Sequence, residues 1–384
     1  MAAAEQVRLS IKRKELTIML KLKTCFFFIL IFNFCFANMA SPIVQGSKNA
    51  SAFSSKDVTI LHENIVVHLN QDFKTAKFTI EYTIKSDVVG GQIPLLFLAK
   101  EYKNGFTVWL DGKPIEIQNI PAQYYKTENS PFANFANSFD EIIDNNQYIS
   151  IYWQRNHTEL YNLDDLKYFE ANLSKGEHKI KIEYLANVWV DNSNWVKEYC
   201  FLYSLAPAKY WKSFGSLTIT VFQDGQLKPI TTNLGNPKEG KIGAISTWSF
   251  NELPSDMIQI KYKTQISQTA KTLISIEPFG IMIYCGFLLF IIHIVLIFWY
   301  RKINITRKQS WVVILGSILV PIIMLYCYMK SYAFIDNLIG IEASKRHGYY
   351  ILIIVVYPVM LIVYMLITWV IDIIIRKKLA KNTK

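Results

Sequence analysis

Phe279-Gly-Ile-Met-Ile-Tyr-Cys-Gly-Phe-Leu-Leu-Phe-Ile-Ile-His-Ile-Val-Leu-Ile-Phe-Trp299 is a run of 21 residues in which His293 is the sole Asp, Glu, Lys, Arg or His. At about 1.5 Å of rise per helical residue it measures roughly 30 Å, the thickness of a bilayer's hydrocarbon core. The run divides the chain. Before it lies a long polar half with the two-residue periodicity of strands, and after it a short apolar half patterned as helices. The sequence therefore predicts a mainly β ectodomain, built as one or two antiparallel β-sandwiches, joined to a C-terminal three-helix transmembrane bundle.

Working outward, Pro278 stands at the mouth of the first span, where proline suits a first helical turn. The first span (279–299) leads to a basic loop (300–310), a second span (311–328), a mixed-charge loop (329–348), a third span (349–375) and a basic tail (376–384). Nine Lys/Arg fall in the 300–310 loop and the tail, against three in the 329–348 loop. The positive-inside rule then predicts a multi-pass protein of the cell (cytoplasmic) membrane. The 300–310 loop and the tail face the cytoplasm, while the β ectodomain and the 329–348 loop lie outside.

The charge distribution bears on partners. The net charge of +11 is concentrated at the ends: residues 1–38 carry +4, residues 39–275 carry −1, and residues 276–384 carry +8. A neutral middle with basicity beside apolar segments fits a membrane and argues against nucleic-acid binding. Cysteine usage is sparse. Cys200 is the one cysteine between residues 39 and 275, so the ectodomain holds no internal disulfide. With the Ile-, Lys- and Asn-rich composition, this points to a bacterial envelope protein.

Residues 1–18 read as an upstream extension if Met19 is the true start, and 19–40 as a signal peptide with Lys21 and Lys23 before the apolar Cys25–Phe36. An uncleaved anchor is the alternative. A polar linker (41–56) precedes two strand-rich blocks, 57–190 and 196–265. Asp111-Gly112 between Phe106–Leu110 and Pro114–Gln118 signals a tight type I′ hairpin, and Asp224-Gly225 a second turn. Phe106–Gly112 can be laid against Leu217–Gly225, and Phe169–Tyr184 against Phe250–Tyr262, the pattern of a duplicated unit; unrelated antiparallel sheets produce similar patterns.

Few residues carry a chemical signature. There is no HExxH, no Gly-x-Ser-x-Gly, no Walker lysine loop and no Gly-x-Gly-x-x-Gly, so no catalytic residue, metal ligand or cofactor is expected. Loop carboxylates such as Asp140, Glu141 and Asp144 read as solvated turn residues. The densest ectodomain signature is Tyr199–Gly215, preceded by Trp189 and Trp195. Its aromatics, Tyr210 and Trp211 above all, are either core or a ledge that grips a glycan, a peptide or a partner protein. Within the spans, His293 and Asp372 are the candidates for function, with Asp372 four residues from Arg376 at the spacing of a helical ion pair. Pro321 and Pro358 sit mid-span and predict kinks.

The pattern Tyr203-x-Leu205-x-Pro207-Ala208-x-x-Trp211-x-x-Phe214-Gly215 resembles uncharacterised bacterial envelope proteins with a secreted β domain. The resemblance covers Glu198–Val221 and implies no activity. The reading that follows is a membrane-anchored extracytoplasmic interaction module whose partner is another membrane or envelope protein. Its alternatives are an accessory subunit of a transporter or membrane enzyme working through the three helices, and an ectodomain hydrolase using dispersed carboxylates.

Overall fold

The computed structural model describes residues 43–44, 46–49, 58–87, 91–100, 104–118, 120–121, 141–143, 146–154, 157–162, 166–225, 227–340, 342–345, 347 and 349–382. The extension 1–18, the signal peptide 19–40 and most of the 41–56 linker lie outside the described residues.

The first strands are β1 (Ile43–Val44), β2 (Lys48–Asn49), β3 (Val58–Leu69), β4 (Thr75–Ser86), β5 (Gly91–Lys100), β6 (Asn104–Leu110) and β7 (Lys113–Ile115). Next come β8 (Glu141–Ile143), β9 (Asn146–Gln154), β10 (His157–Asn162), β11 (Leu166–Leu173), β12 (Gly176–Asn187) and β13 (Trp189–Asp191). The last are β14 (Glu198–Ser204), β15 (Ser213–Gln223), β16 (Ile230–Thr232), β17 (Ile245–Phe250) and β18 (Met257–Lys263).

The main sheet has seven strands in the order β17-β15-β3-β4-β12-β6-β7, and β13, β14, β18 and β16 are consecutive in the sheet packed on it. Period-2 patterning builds the layer between them. In β4, Ala76, Phe78, Ile80, Tyr82 and Ile84 face inward while Lys77, Glu81 and Lys85 face out. From the other side, Phe201 and Tyr203 of β14 and Ile258 and Ile260 of β18 meet them. The β domain also holds two three-stranded sheets, β11-β5-β2, whose Phe169, Ala171 and Leu173 join the same buried core, and β10-β9-β8.

Strands from both sequence blocks share this core: β15 and β17 extend the main sheet beside β3, so a single hydrophobic layer serves both stretches. Antiparallel pairing dominates, but β15 runs parallel to β3. The cause is a crossover. β14 ends at Ser204, a 3₁₀ turn (Ala206–Tyr210) carries the chain across, and β15 enters the opposite sheet alongside β3. The expected duplication is not repeated in space. Ile180–Tyr184 lies in β12 of the main sheet, whereas Ile258–Tyr262 lies in β18 of the opposing one.

Local turn chemistry is where sequence and structure agree best. Asp111 and Gly112 both have positive φ, 49° and 77°, the type I′ geometry that joins β6 to β7. Asp111 also accepts hydrogen bonds from Lys179 N–H and the His178 ring, tying the turn to β12. Asp224-Gly225 turns the chain as expected, but not into a hairpin, because β16 pairs with β18 in the opposing sheet.

A β-bulge between Ile60 and His62 shifts the phase of β3 by one residue. Ile60 and Glu63 therefore both face inward, and Glu63 is 0% exposed. Gly215 of the neighbouring β15 makes the bulge possible: a Cβ there would lie 2.2 Å from the Leu61 carbonyl oxygen.

The membrane part consists of α1 (Gln268–Ile303), α2 (Trp311–Ile339) and α3 (Tyr357–Asn382); α1, α2 and the stretch Tyr350–Lys381 that contains most of α3 are each long and apolar enough to cross a bilayer. The Ser267 hydroxyl caps α1 and the Ser310 hydroxyl caps α2. α1 starts well before Pro278 and breaks at Glu277 (φ 61°, ψ 157°); the extended ψ is the one that the steric restriction on a residue before proline favours. α2 continues to Ile339, past the expected end at 328, because Ile335 and Ile339 are buried against the β domain's base. The third span opens as a 3₁₀ helix (Tyr349–Val356), with Pro358 in the first turn of α3, where a missing N–H costs least.

Gly215→Ala is expected to destabilise the β domain by about 3 kcal/mol, since either the bulge or the β15 pairing must move. Gly243→Ala, where a Cβ would come no closer than 3.9 Å to Ile245 O, is the control expected to change stability by less than about 0.5 kcal/mol. Denaturant unfolding followed by circular dichroism distinguishes them.

Candidate functional site at the junction of the β domain and the membrane helices

The segment between β13 and β14 meets the loop that follows α2. Val196 and Ser344 form an antiparallel bridge, flanked by Lys197 N–H donating to Ala343 C=O (2.8 Å) and Lys345 N–H donating to Trp195 C=O (3.2 Å). Side chains reinforce this backbone clasp. The Trp195 ring lies 5.4 Å from Tyr332 and 4.2 Å from His347, and Tyr332 in turn stacks on Tyr350 at 5.3 Å. Below them Val196, Ala270, Ile335, Ile339 and Ala343 make a small buried apolar cluster. Tyr199 adds a hydrogen bond from its hydroxyl to Glu342 C=O.

The electrostatics centre on Asp336. Ser344 donates to its carboxylate, and His347 Nδ1 lies 3.4 Å away, outside good hydrogen-bond geometry. Burial pushes the His347 pKa below the usual imidazole value, against the pull of Asp336. The neutral ring is therefore the form the junction accommodates.

The ectodomain aromatics divide between this junction and the core. Trp195 belongs to the junction. Trp189 is pinned by its indole N–H to Ser47 C=O (2.9 Å), in a stretch where Gly46 presses so close to Val188 that a Cβ would clash, so this part of the 41–56 linker packs on the sandwich. Trp211 is 5% exposed and stacks on Tyr82 in the core, so its side chain offers no ledge. It packs inward because the crossover carries it between the two sheets. Tyr210 ends the 3₁₀ turn; its side chain lies outside the described residues.

Sequence reasoning missed Glu63. Its Oε1 accepts from Tyr203 O–H (3.0 Å), and Tyr203 in turn receives the Tyr82 O–H (3.1 Å). The bulge that turns Glu63 inward leaves no local trace in the sequence. Cys200, with burial pushing its thiol pKa up to about 12, is an unreactive free thiol.

Between the spans, polar groups meet in pairs. His293 Nε2 lies 3.0 Å from the Val312 carbonyl and must be the protonated nitrogen, leaving Nδ1 to accept from Tyr364 O–H (3.0 Å). Gly316 makes room for the ring, since a Cβ there would fall 2.1 Å from Nε2. Ser317 and Thr368 hydroxyls pair at 3.0 Å. Asp372 closes on Arg301 rather than Arg376, as a bidentate pair of 2.6 and 2.5 Å, while Arg301 Nη1 donates to Arg307 C=O. The pairing crosses between helices because Arg301 is fully buried where α3 passes α1, whereas Arg376 is exposed. Each helix therefore contributes polar groups that another helix satisfies, an arrangement that holds a bundle together.

On the outward face of the main sheet, His62, Asn64, Glu81, Thr83, Trp109 and Lys181 line a groove of about 600 Å³. Among the described residues no group of three His, Cys, Asp or Glu is placed to hold a metal ion.

No family model matches the sequence, and no curated protein matches it. Several solved structures align over part of the chain. A candidate nutrient-binding protein from Legionella pneumophila aligns at 11% identity and a TM-score of 0.38, over 57% of this chain and 72% of its own. Leukotriene A4 hydrolase from Saccharomyces cerevisiae aligns at 10% and 0.28, over 56% of this chain and 30% of its own. An M1 zinc metallopeptidase from Deinococcus radiodurans aligns at 6% and 0.25, over 55% and 43%. This chain thus spans less than half of either enzyme, and at these values none of the three transfers an activity to it.

Two outcomes are expected. Asp372→Ala leaves a buried guanidinium unpaired and lowers stability in detergent by about 3–5 kcal/mol, while Arg376→Ala is close to silent; thermal unfolding of the purified chain reads both. For His347, a folded pKa below the unfolded one means that its contribution to stability is present above the unfolded value of about 6.5 and is lost as pH falls below it. Proteolysis of the 340–347 loop should therefore quicken as pH drops from about 7.5 to 5.5, and His347→Phe should remove that dependence.

Proposed function

We propose that this protein is a membrane-anchored extracytoplasmic interaction module, in which the three helices hold the β domain in a set orientation for a membrane or envelope partner. The observation that carries the reading is the backbone clasp between Trp195–Lys197 and Ala343–Lys345. A flexible tether would need neither the bridge nor the stacked rings, and one helix would suffice for anchoring. The recognition surface we favour is the main-sheet groove, where half-exposed Trp109 stands among polar and charged side chains. Such a lining suits a glycan or a peptide. The membrane partner would cover the outer face of α3, where Val359, Ile362, Val363, Leu366, Val370 and Ile374 are all exposed.

The paired polar groups between the spans favour a second reading, an accessory subunit of a transporter or membrane enzyme. Every one of those pairs is satisfied within the bundle, which fits a fixed scaffold better than a working site.

The test combines orientation with binding. A periplasm-dependent phosphatase fused after Lys263 should be active, and fused after Lys384 silent. Partners recovered with the full chain from mild detergent should be lost from a Trp109→Ala, Lys181→Ala variant that melts like the parent. Equal recovery by both would overturn the groove assignment, and activity at Lys384 the orientation.

A further inference from the structure

Cys285 of α1 and Cys327 of α2 meet sulfur to sulfur at 3.1 Å, within the apolar part of both helices. Beside them Gly286 leaves room for the end of the Met324 side chain: a Cβ at that position would lie 2.4 Å from Met324 Cε and 2.8 Å from its Sδ. Both cysteines end the same short pattern, Met282-Ile-Tyr-Cys285 and Met324-Leu-Tyr-Cys327. Both remain partly open at the bundle surface rather than sealed inside it.

A bilayer restricts what this pair can become. A thiolate leaves charge in hydrocarbon, which is costly, and among the described residues no third His, Cys, Asp or Glu is placed to complete a metal site here. A disulfide is neutral. We propose that Cys285 and Cys327 form a redox pair that closes to an interhelical disulfide. Two S–H bonds break and one S–S bond forms, releasing two electrons and two protons. The acceptor is a lipid-soluble quinone, which takes up both electrons and both protons to become the hydroquinone. Cys285 lies six residues beyond Phe279, roughly 9 Å along the helix, a depth that such an oxidant reaches from the lipid. The bond would tie α1 to α2 below the end of α2 that carries Tyr332 and Asp336.

The test uses membranes containing the full chain, incubated with decylubiquinone or with dithiothreitol. Samples are quenched in acid, dissolved in SDS and blocked with N-ethylmaleimide, then reduced and labelled with its heavy isotope form. After quinone, Cys285 and Cys327 should carry only the heavy label, and the unreduced digest should contain their linked peptide, two hydrogens lighter than the sum of its parts. Cys200 should carry the light label throughout. In Cys285→Ser, Cys327 should take the light label even after quinone. Light label on both cysteines of the parent after quinone would overturn the proposal; a metal bound in place of the disulfide would give that result, because acid releases it. Continued protection of Cys327 in Cys285→Ser would overturn it as well.

Discussion

Two backbone hydrogen bonds either side of Val196 and Ser344 decide how the halves of this protein relate. Each comes from a loop that would otherwise be free to reorient, and each leaves a donor and acceptor that must find water or a partner if the clasp opens. The surrounding side chains shift that balance. Trp195, Tyr332, His347 and Tyr350 pack ring against ring beside the bonds, and Val196, Ile335 and Ile339 belong to a buried apolar cluster. α2 extends beyond the expected span to join that cluster, so the length of the helix follows from the junction rather than from membrane thickness alone.

The same rule of mutual satisfaction operates below the junction. Burying Arg301 without Asp372, or His293 without Tyr364 and the Val312 carbonyl, would leave polar groups unpaired in hydrocarbon. These pairs have modest net worth when intact but are costly to break, so they act as register marks that allow one mutual arrangement of the three helices. Glycines make room for these side chains: Gly316 admits the His293 ring and Gly286 the end of Met324. In the β domain Gly215 plays the corresponding part, admitting the Leu61 bulge that turns Glu63 toward Tyr203.

What could be read from the sequence was local. Three apolar spans and the Asp111-Gly112 hairpin are properties of short windows, and the structure shows them as expected. What could not be read depends on distant residues. Asp372 has Arg376 one turn away, yet its partner is Arg301, 71 positions distant. Trp195 and Trp211 look alike in sequence, but one caps the junction and the other fills the core. Parallel pairing of β15 with β3 follows from where the crossover lands, and Glu63 faces inward only because a bulge shifts the strand's phase. Of the ectodomain and intramembrane candidates whose side chains are described, Trp195 belongs to the junction, and the groove around Trp109 carried no motif.

The most direct measurement of the junction is hydrogen exchange at the Lys197 and Lys345 amides in the detergent-solubilised full chain. Both N–H groups are donors across the clasp, so the account predicts exchange slowed to the level of neighbouring strand amides in β14, and released in both segments together when Trp195 is replaced by Ala. Exchange at the rate of unstructured peptide in the parent chain would contradict it, because the β domain would then hang from the membrane on a flexible linker.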